Sequence, residues 1–278
     1  MGPILRRAMT LALLLAGLAG AEAATMPAGE VALVTGQAQA SNQATLDLRA
    51  LEKGDPVYSG DIVSAGPNTY VNLKFTDGSF VLIRPNTRFE IEAYRAPDEP
   101  TAATAADAPS ATTAPAADGE AIAATPAPAG RGQAFFRLLK GGFRAVTGLI
   151  GRSDPAEYRI STPVATIGIR GTDYLAIICD AACASDPVIL ASLLPGCPEN
   201  TAALCDMPLP EGLSALGGIV VGVISGRVVT ANIDGREVEV GPGQFLLTLT
   251  DGTQILLPQP PGFLKLNPIP DPTELCDA

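Results

Sequence analysis

Apolar residues fall at every second position along much of the chain, the period of a strand with one buried face. Val71, Leu73 and Phe75 alternate with Asn72 and Lys74, and Phe89, Ile91 and Ala93 alternate with Arg88, Glu90 and Glu92. Val238 and Val240 alternate in the same way with Glu237 and Glu239. Turn pairs separate these runs. Gly54-Asp55, Gly60-Asp61 and Pro85-Asn86 punctuate the first third, and Asp77-Gly78 supplies the positive-φ corner of a hairpin that returns through Phe80 to Ile83. Glu30 to Gly36 reads as an earlier strand with a glycine stop. Near the other end, Ile219 to Ser225, Val228 to Asn232, Phe245 to Thr250 and Ile255 to Leu257 read as strands divided by glycine turns.

Two stretches need a decision. In Ala134 to Gly148, Phe135, Leu138 and Leu139 share a helical face, but Gly141-Gly142 would cost a helix roughly 2 kcal/mol against alanine. Two strands with a glycine kink fit better. Thr162 to Tyr174 (TPVATIGIRGTDY) is rich in β-branched residues, and Pro163 keeps its start off a helical path. It reads as a strand, and Gly168 and Gly171 within it mark a bulge or a close backbone approach. The expected class is therefore all-β, with stacked short-stranded sheets in a β-roll or a sandwich.

Composition changes that picture in three places. Residues 96–132 are alanine, proline and threonine with scattered acids, Ile122 being the one aliphatic side chain larger than alanine apart from the prolines. Such a segment cannot bury enough apolar surface to offset its ordering entropy, so a disordered linker is expected. Residues 1–23 combine Arg6 and Arg7, a short apolar stretch from Ala8 to Gly20, and an Ala21-Glu22-Ala23 cleavage site, which together describe a secretory signal peptide. Its apolar part is shorter than the ~20 residues of a spanning helix. Residues 259–278 form a proline-rich tail, expected to be extended. The β domain then comprises residues 28–95 and 133–258, the second segment carrying a cysteine-bearing loop at 176–217. Regular structure is expected to lapse between Tyr174 and about Gly217.

The strand patterns also carry motifs. Thr162, Pro163, Ala165, Gly168, Arg170, Gly171, Thr172 and Tyr174 follow the form T-P-x-A-x-x-G-x-R-G-T-x-Y. Gly54, Asp55, Val57, Ser59 and Gly60 precede Leu73, Phe75, Asp77, Gly78 and Ser79, and Leu139, Gly142, Phe143, Arg144, Val146, Thr147 and Gly148 stand before the central strand. Val223, Gly226, Val228, Thr230, Val240, Gly243 and Gln244 complete the series. In these residues the chain resembles the FecR domain, from about Gly29 to Leu257, with the linker and the cysteine loop as inserts. That resemblance implies an extracytoplasmic β-module that binds a partner in sensing or signalling. In the family the domain is the outer half of a transmembrane regulator, with a cytoplasmic anti-sigma domain before the membrane helix. A signal peptide at the start departs from that order, so only the exported binding module is expected to carry over, without direct control of a sigma factor.

Charge narrows the partners. Signal removal leaves 16 basic against 28 acidic side chains, a net charge of −12, which disfavours duplex nucleic acid. The acid is uneven: residues 133–175 hold six basic and three acidic side chains, residues 176–278 three and twelve. Arg137, Lys140, Arg144 and Arg152 thus give the central strands a positive face, suited to an envelope protein or an anionic polymer. The competing reading is that these charges merely guard outward strand positions against edge pairing. Arg170, inside the central motif, is expected to be structural, its guanidinium bridging neighbouring turns.

Chemistry is restricted as well. With no histidine, Ser-His and Cys-His nucleophiles and the usual zinc hydrolases are ruled out. Asp55, Asp61, Asp77 and Asp173 stand near glycine turns, where a carboxylate more simply makes the turn than catalyses. No cofactor is expected. Cys179, Cys183, Cys197 and Cys205 lie within 27 residues, with Cys276 apart. Export favours disulfides over a thiolate zinc site, and local pairing, Cys179 with Cys183 and Cys197 with Cys205, is the expected arrangement among the several that four cysteines allow. The function expected is a non-enzymatic, periplasmic or extracellular binding module; a structural or adhesive envelope protein is the alternative.

Overall fold

Two glycines shape the longest strands. The computed structural model describes residues 26–42, 44–97, 132–193, 218–266 and 268–275. In chain order the elements are β1 (Gly29–Val34), β2 (Ala38–Asn42), β3 (Asp47–Ala50), β4 (Pro56–Val57), β5 (Asp61–Ala65), β6 (Val71–Phe75), β7 (Phe80–Ile83) and β8 (Arg88–Arg95). Then come β9 (Gln133–Lys140), β10 (Gly142–Val146), α1 (Leu149–Ser153), β11 (Tyr158–Ser161), β12 (Ala165–Ile178), α2 (Ala181–Ala184) and α3 (Pro187–Leu193). β13 (Ile219–Asn232), β14 (Glu237–Val240), β15 (Phe245–Thr248), β16 (Gln254–Leu257) and α4 (Gly262–Leu266) complete the chain. β12 and β13 pair along their full length, and both break register at one level, where Gly171 (φ 59°) and Gly226 (φ 79°) take the left-handed conformation open to glycine.

Below and above that bulge the two strands belong to different layers. The N-terminal half of β12 continues a sheet ordered β3-β2-β5-β8-β9-β11-β12-β13-β14. Its C-terminal half continues a second sheet ordered β4-β1-β6-β7-β10-β12-β13-β15-β16. The single hydrogen-bonded path thus doubles over into a sandwich, and the fold is all-β as expected. Aromatic side chains fill the space between the layers. Phe75 of β6 meets Phe136 of β9 at 5.1 Å between ring centroids, and Phe89 of β8 meets Phe143 of β10 at 5.4 Å. Tyr158 and Tyr174, both fully buried, join hydroxyls across the gap at 3.2 Å. Tilted and edge-on pairs of this kind add directional attraction to the buried area.

The second sheet is covered on its outer face too. The α2–α3 excursion lays Cys183 and Ile189 against Val220, Leu247 and Leu257, while Leu264 and Ile269 of the tail cover Leu82, Leu175 and Ile177. Burial on both faces explains why Val220, Val221 and Leu246, Leu247 are consecutive apolar residues rather than alternating ones. β14, in the other sheet, keeps a strict alternation, with Glu237 and Glu239 exposed.

Several expectations are corrected. Thr162 to Val164 form the turn that joins β11 to β12, so the central strand starts at Ala165 and runs on to Ile178. Ile219 to Asn232 is one bulged strand, not two. Regular structure does not lapse at Tyr174, because α2 and α3 follow β12 directly. The tail is not simply extended: it forms α4 and packs back, with the Asn72 amide donating to the Pro272 carbonyl at 2.7 Å. The glycine kink at Gly141 (φ 79°) separates β9 from β10 as anticipated. The expected signal peptide, most of the expected linker, the part of the 176–217 loop beyond α3, Cys197, Cys205 and Cys276 lie outside the described residues.

Candidate functional site

The motif residues prove to be joints. Asp77, at the β6–β7 corner, is buried and accepts from the Ser79 hydroxyl (2.6 Å), the Ser79 amide (3.0 Å) and the Ile150 amide of α1 (3.2 Å). Its own amide donates to the Tyr94 hydroxyl at 2.9 Å. Gly78 takes φ 79° at the turn, with open space around it. One carboxylate therefore ties the hairpin to the helix. Thr162 closes the β11–β12 turn, its hydroxyl donating to the Ala165 carbonyl (2.8 Å) and accepting from the Ala165 amide (3.0 Å), with Pro163 exposed beside it. Gly168 has ordinary room, the nearest atom to a Cβ there being the Val229 carbonyl oxygen at 3.8 Å, so only Gly171 marks the bulge.

At that bulge Thr172 does the bridging expected of Arg170. Its hydroxyl accepts from the Arg170 amide (3.2 Å) and donates to the Arg227 carbonyl of β13 (2.9 Å), and its amide donates to the Thr147 hydroxyl (2.7 Å). The Arg170 side chain is exposed and makes no hydrogen bond or ion pair among the described residues. It shares with Arg152 of α1, Asp154 and Gly171 an open hollow of about 520 Å³. Arg152 is likewise exposed and unpaired. Asp154 spends one oxygen on the Ala156 amide at 3.3 Å.

The basic quartet is divided. Arg144, only 11% exposed, pairs with Asp173 through Nε (2.9 Å) and Nη2 (2.7 Å), and through Nη2 with Asp271 of the tail (2.9 Å). Its Nη1 donates to the Ile269 carbonyl at 3.1 Å. The Asp173 hydrogen bonds hold its pKa above the ordinary arginine value against the opposing pull of burial. Arg144 is therefore a clamp for the tail and not part of a positive face. Arg137 is half-exposed and paired with Glu92, while Lys140 is exposed and has no partner among the described residues.

The other carboxylates are also occupied. Asp61, fully buried, accepts from Arg49, the Asn42 amide group (3.0 Å) and the Tyr58 amide (2.9 Å), and Asp55 accepts from the Glu52 amide (2.7 Å). No group of three or more cysteine, aspartate and glutamate side chains stands close enough to hold a metal ion among the described residues. Cys179 and Cys183 form a disulfide between the end of β12 and α2, the local pairing expected from spacing. Next to it lies a deeper cleft of about 580 Å³, where Arg84 and Lys140 stand with Asn68 and Asn86. Sequence reading passed over Arg84; the signal was its place as the first polar residue after the all-apolar β7, just before the Pro85-Asn86 turn.

No protein-family model and no curated protein matches the chain. Among solved structures, two crystal structures of a candidate anti-sigma factor from Parabacteroides distasonis, at 1.65 and 2.50 Å resolution, align at 10% and 8% identity. Each alignment has a TM-score of 0.38 and covers 71% of this chain. The chain spans 59% of the length of those structures.

Proposed function

We propose that the chain is an exported, non-enzymatic binding module of FecR-like type whose contact site for an anionic partner is the hollow between Arg152 and Arg170. One observation carries this reading: in an acidic chain, Arg152 and Arg170 line one hollow at the bend where the sheets part, and neither has an acceptor among the described residues. Arg49 and Arg144, by contrast, are each held by carboxylates. Two guanidiniums that line one hollow without acceptors among the described residues favour a ligand that brings negative charge, a planar carboxylate above all. Partner class remains as the sequence suggested, an envelope protein or an anionic envelope polymer, and residues 1–23 support export.

The test is crosslinking in cells. Arg152→Glu with Arg170→Glu abolishes the partner crosslink while the purified double variant unfolds at the wild-type urea midpoint. A crosslink retained at full strength by the folded double variant removes the hollow as the contact site. The structural alternative draws on the edge strand β3 and the turn before it, where Leu48 is 68% and Leu46 90% exposed. It requires polymers in sedimentation at micromolar concentration, which Leu48→Lys disperses.

A further inference from the structure

The cleft beside the disulfide is built differently from the arginine hollow and lies among other residues. Its floor and walls include Leu139, Pro163, Ile177 and Ile178, so much of the lining is apolar. Its polar groups are cationic or amide: Arg84, Lys140, Asn68 and Asn86. One carboxylate, Asp180, also borders it, but its Oδ1 is taken by the Ala182 amide (2.9 Å) and the Cys183 amide (3.1 Å) at the start of α2. Arg88, directly opposite Lys140 in the β8–β9 ladder, is exposed and adds a third positive charge to this end of the sandwich. None of the three cations has a side-chain partner among the described residues.

Arg84 is the most informative of them. It is half-buried, and its Nε is sealed from solvent with no acceptor. A guanidinium in that position has lost water at Nε, and an anion paired with its remaining donors offsets part of that cost through its charge. The position is fixed by the backbone: the Arg84 amide donates to the Gly142 carbonyl at 2.9 Å, and Ile178 donates to Gly141 at 2.8 Å, so the cleft stands on ladder ends rather than on a loose loop. Asn68 and Asn86, both at φ 56°, hold the two turns at its rim. Asparagine tolerates that conformation, and its side chain brings amide groups to the rim.

We propose that this cleft is a binding site for a small organic anion, a carboxylate or phosphate on an apolar body, held by Arg84 and Lys140 with the body against Leu139 and Ile178. A concave, mostly apolar site with a few convergent polar groups is the general form of small-molecule sites. The two cations select the charged end, and the apolar wall distinguishes such a ligand from inorganic anions. This site shares no residue with the Arg152–Arg170 hollow, so the two readings fail independently.

Titration calorimetry on the full mature chain tests it with four probes: benzoate, phenyl phosphate, benzamide and inorganic phosphate. At least one of the two charged aryl probes binds saturably at one site, and benzamide and inorganic phosphate bind at least about tenfold more weakly, a difference of about 1.4 kcal/mol. Whichever aryl anion binds more tightly names the head group. Arg84→Gln with Lys140→Gln weakens that binding by about tenfold or more, whereas Arg152→Gln with Arg170→Gln leaves it unchanged. Should Arg84→Gln fail to fold, Lys140→Gln alone, at an exposed position, reads the loss. Absence of saturable binding by both aryl anions overturns the proposal. So does wild-type affinity in a folded Arg84→Gln, Lys140→Gln variant.

Discussion

Buried single groups carry disproportionate weight in a sandwich with few aromatics. Asp77→Ala strips three donors of their acceptor, Ser79 Oγ, Ser79 N and Ile150 N, and is expected to lower stability by about 2–3 kcal/mol in urea denaturation. The bulge glycines give a sharper contrast. A Cβ on Gly226 would run into the Gly171 carbonyl, whereas one on Gly171 meets only Arg152 Cγ, at an ordinary contact distance of 3.7 Å. Gly226→Ala is therefore expected to cost about 3 kcal/mol and Gly171→Ala about 1 kcal/mol, the latter from the left-handed backbone alone. Equal losses would show that the two strands do not pack as closely at the bend as described. Burial raises the pKa of Tyr158, and burial together with the Tyr158 contact raises that of Tyr174. The folded state then keeps protons that the unfolded chain releases near pH 10, so this contribution is complete below that pH and is lost as pH rises. The urea midpoint falls between about pH 9 and pH 11, and Tyr158→Phe flattens the fall.

At the scale of elements, the tail is the one whose attachment can be switched. It is held by Arg144 through Asp271 and the Ile269 carbonyl, with Leu264 and Ile269 resting on β7 and β12. Burial alone would raise the Asp271 carboxyl, but the Thr273 hydroxyl and amide and the Arg144 charge together hold it below its ordinary value. Its contribution is thus present at neutral pH and lost as pH falls into the carboxylate range, where hydrogen exchange at Ile269 should quicken. Arg144→Gln should give the same release at neutral pH and lower stability by about 2 kcal/mol, less than a fully buried pair. No change in exchange at Ile269 would refute the clamp. The sequence could not show this contact, because proline-rich composition describes local chain preference and not a guanidinium more than a hundred residues away. For the same reason β2 and β3 went unread: Ala38–Asn42 and Asp47–Ala50 are short, with few large apolar side chains, and only the pairing of β2 with β5 and of β3 with β2 makes them strands. The hairpins at Asp77-Gly78 and Gly141, where local turn chemistry and apolar period agree, were legible. Of the candidate surface, Arg152 was legible only as one of four basic residues near the central strands and Arg170 was read as structural; Arg144 was not distinguishable from Arg152 until Asp173 and Asp271 were placed beside it.

For the whole molecule, the decisive feature is that the strands of both segments interleave. β8 of the first segment pairs with β9 of the second, and β7 pairs with β10. Arg95 and Gln133, which flank the expected linker, face each other across one ladder rung. Shortening the chain between Pro97 and Gly130 is accordingly expected to leave the melting temperature almost unchanged, since closure entropy depends only weakly on length. A drop of more than about 5 °C would mean that the segment contributes contacts of its own. The same rung has a consequence for how the protein can be divided. A peptide bond cut beyond Pro97 severs no ladder among the described residues, so the connection there is expected to supply little more than a millimolar effective concentration of one half for the other. Two separately expressed polypeptides, ending and beginning at that point, are then expected to act as complementary fragments whose reassociation reports on how the two segments pair.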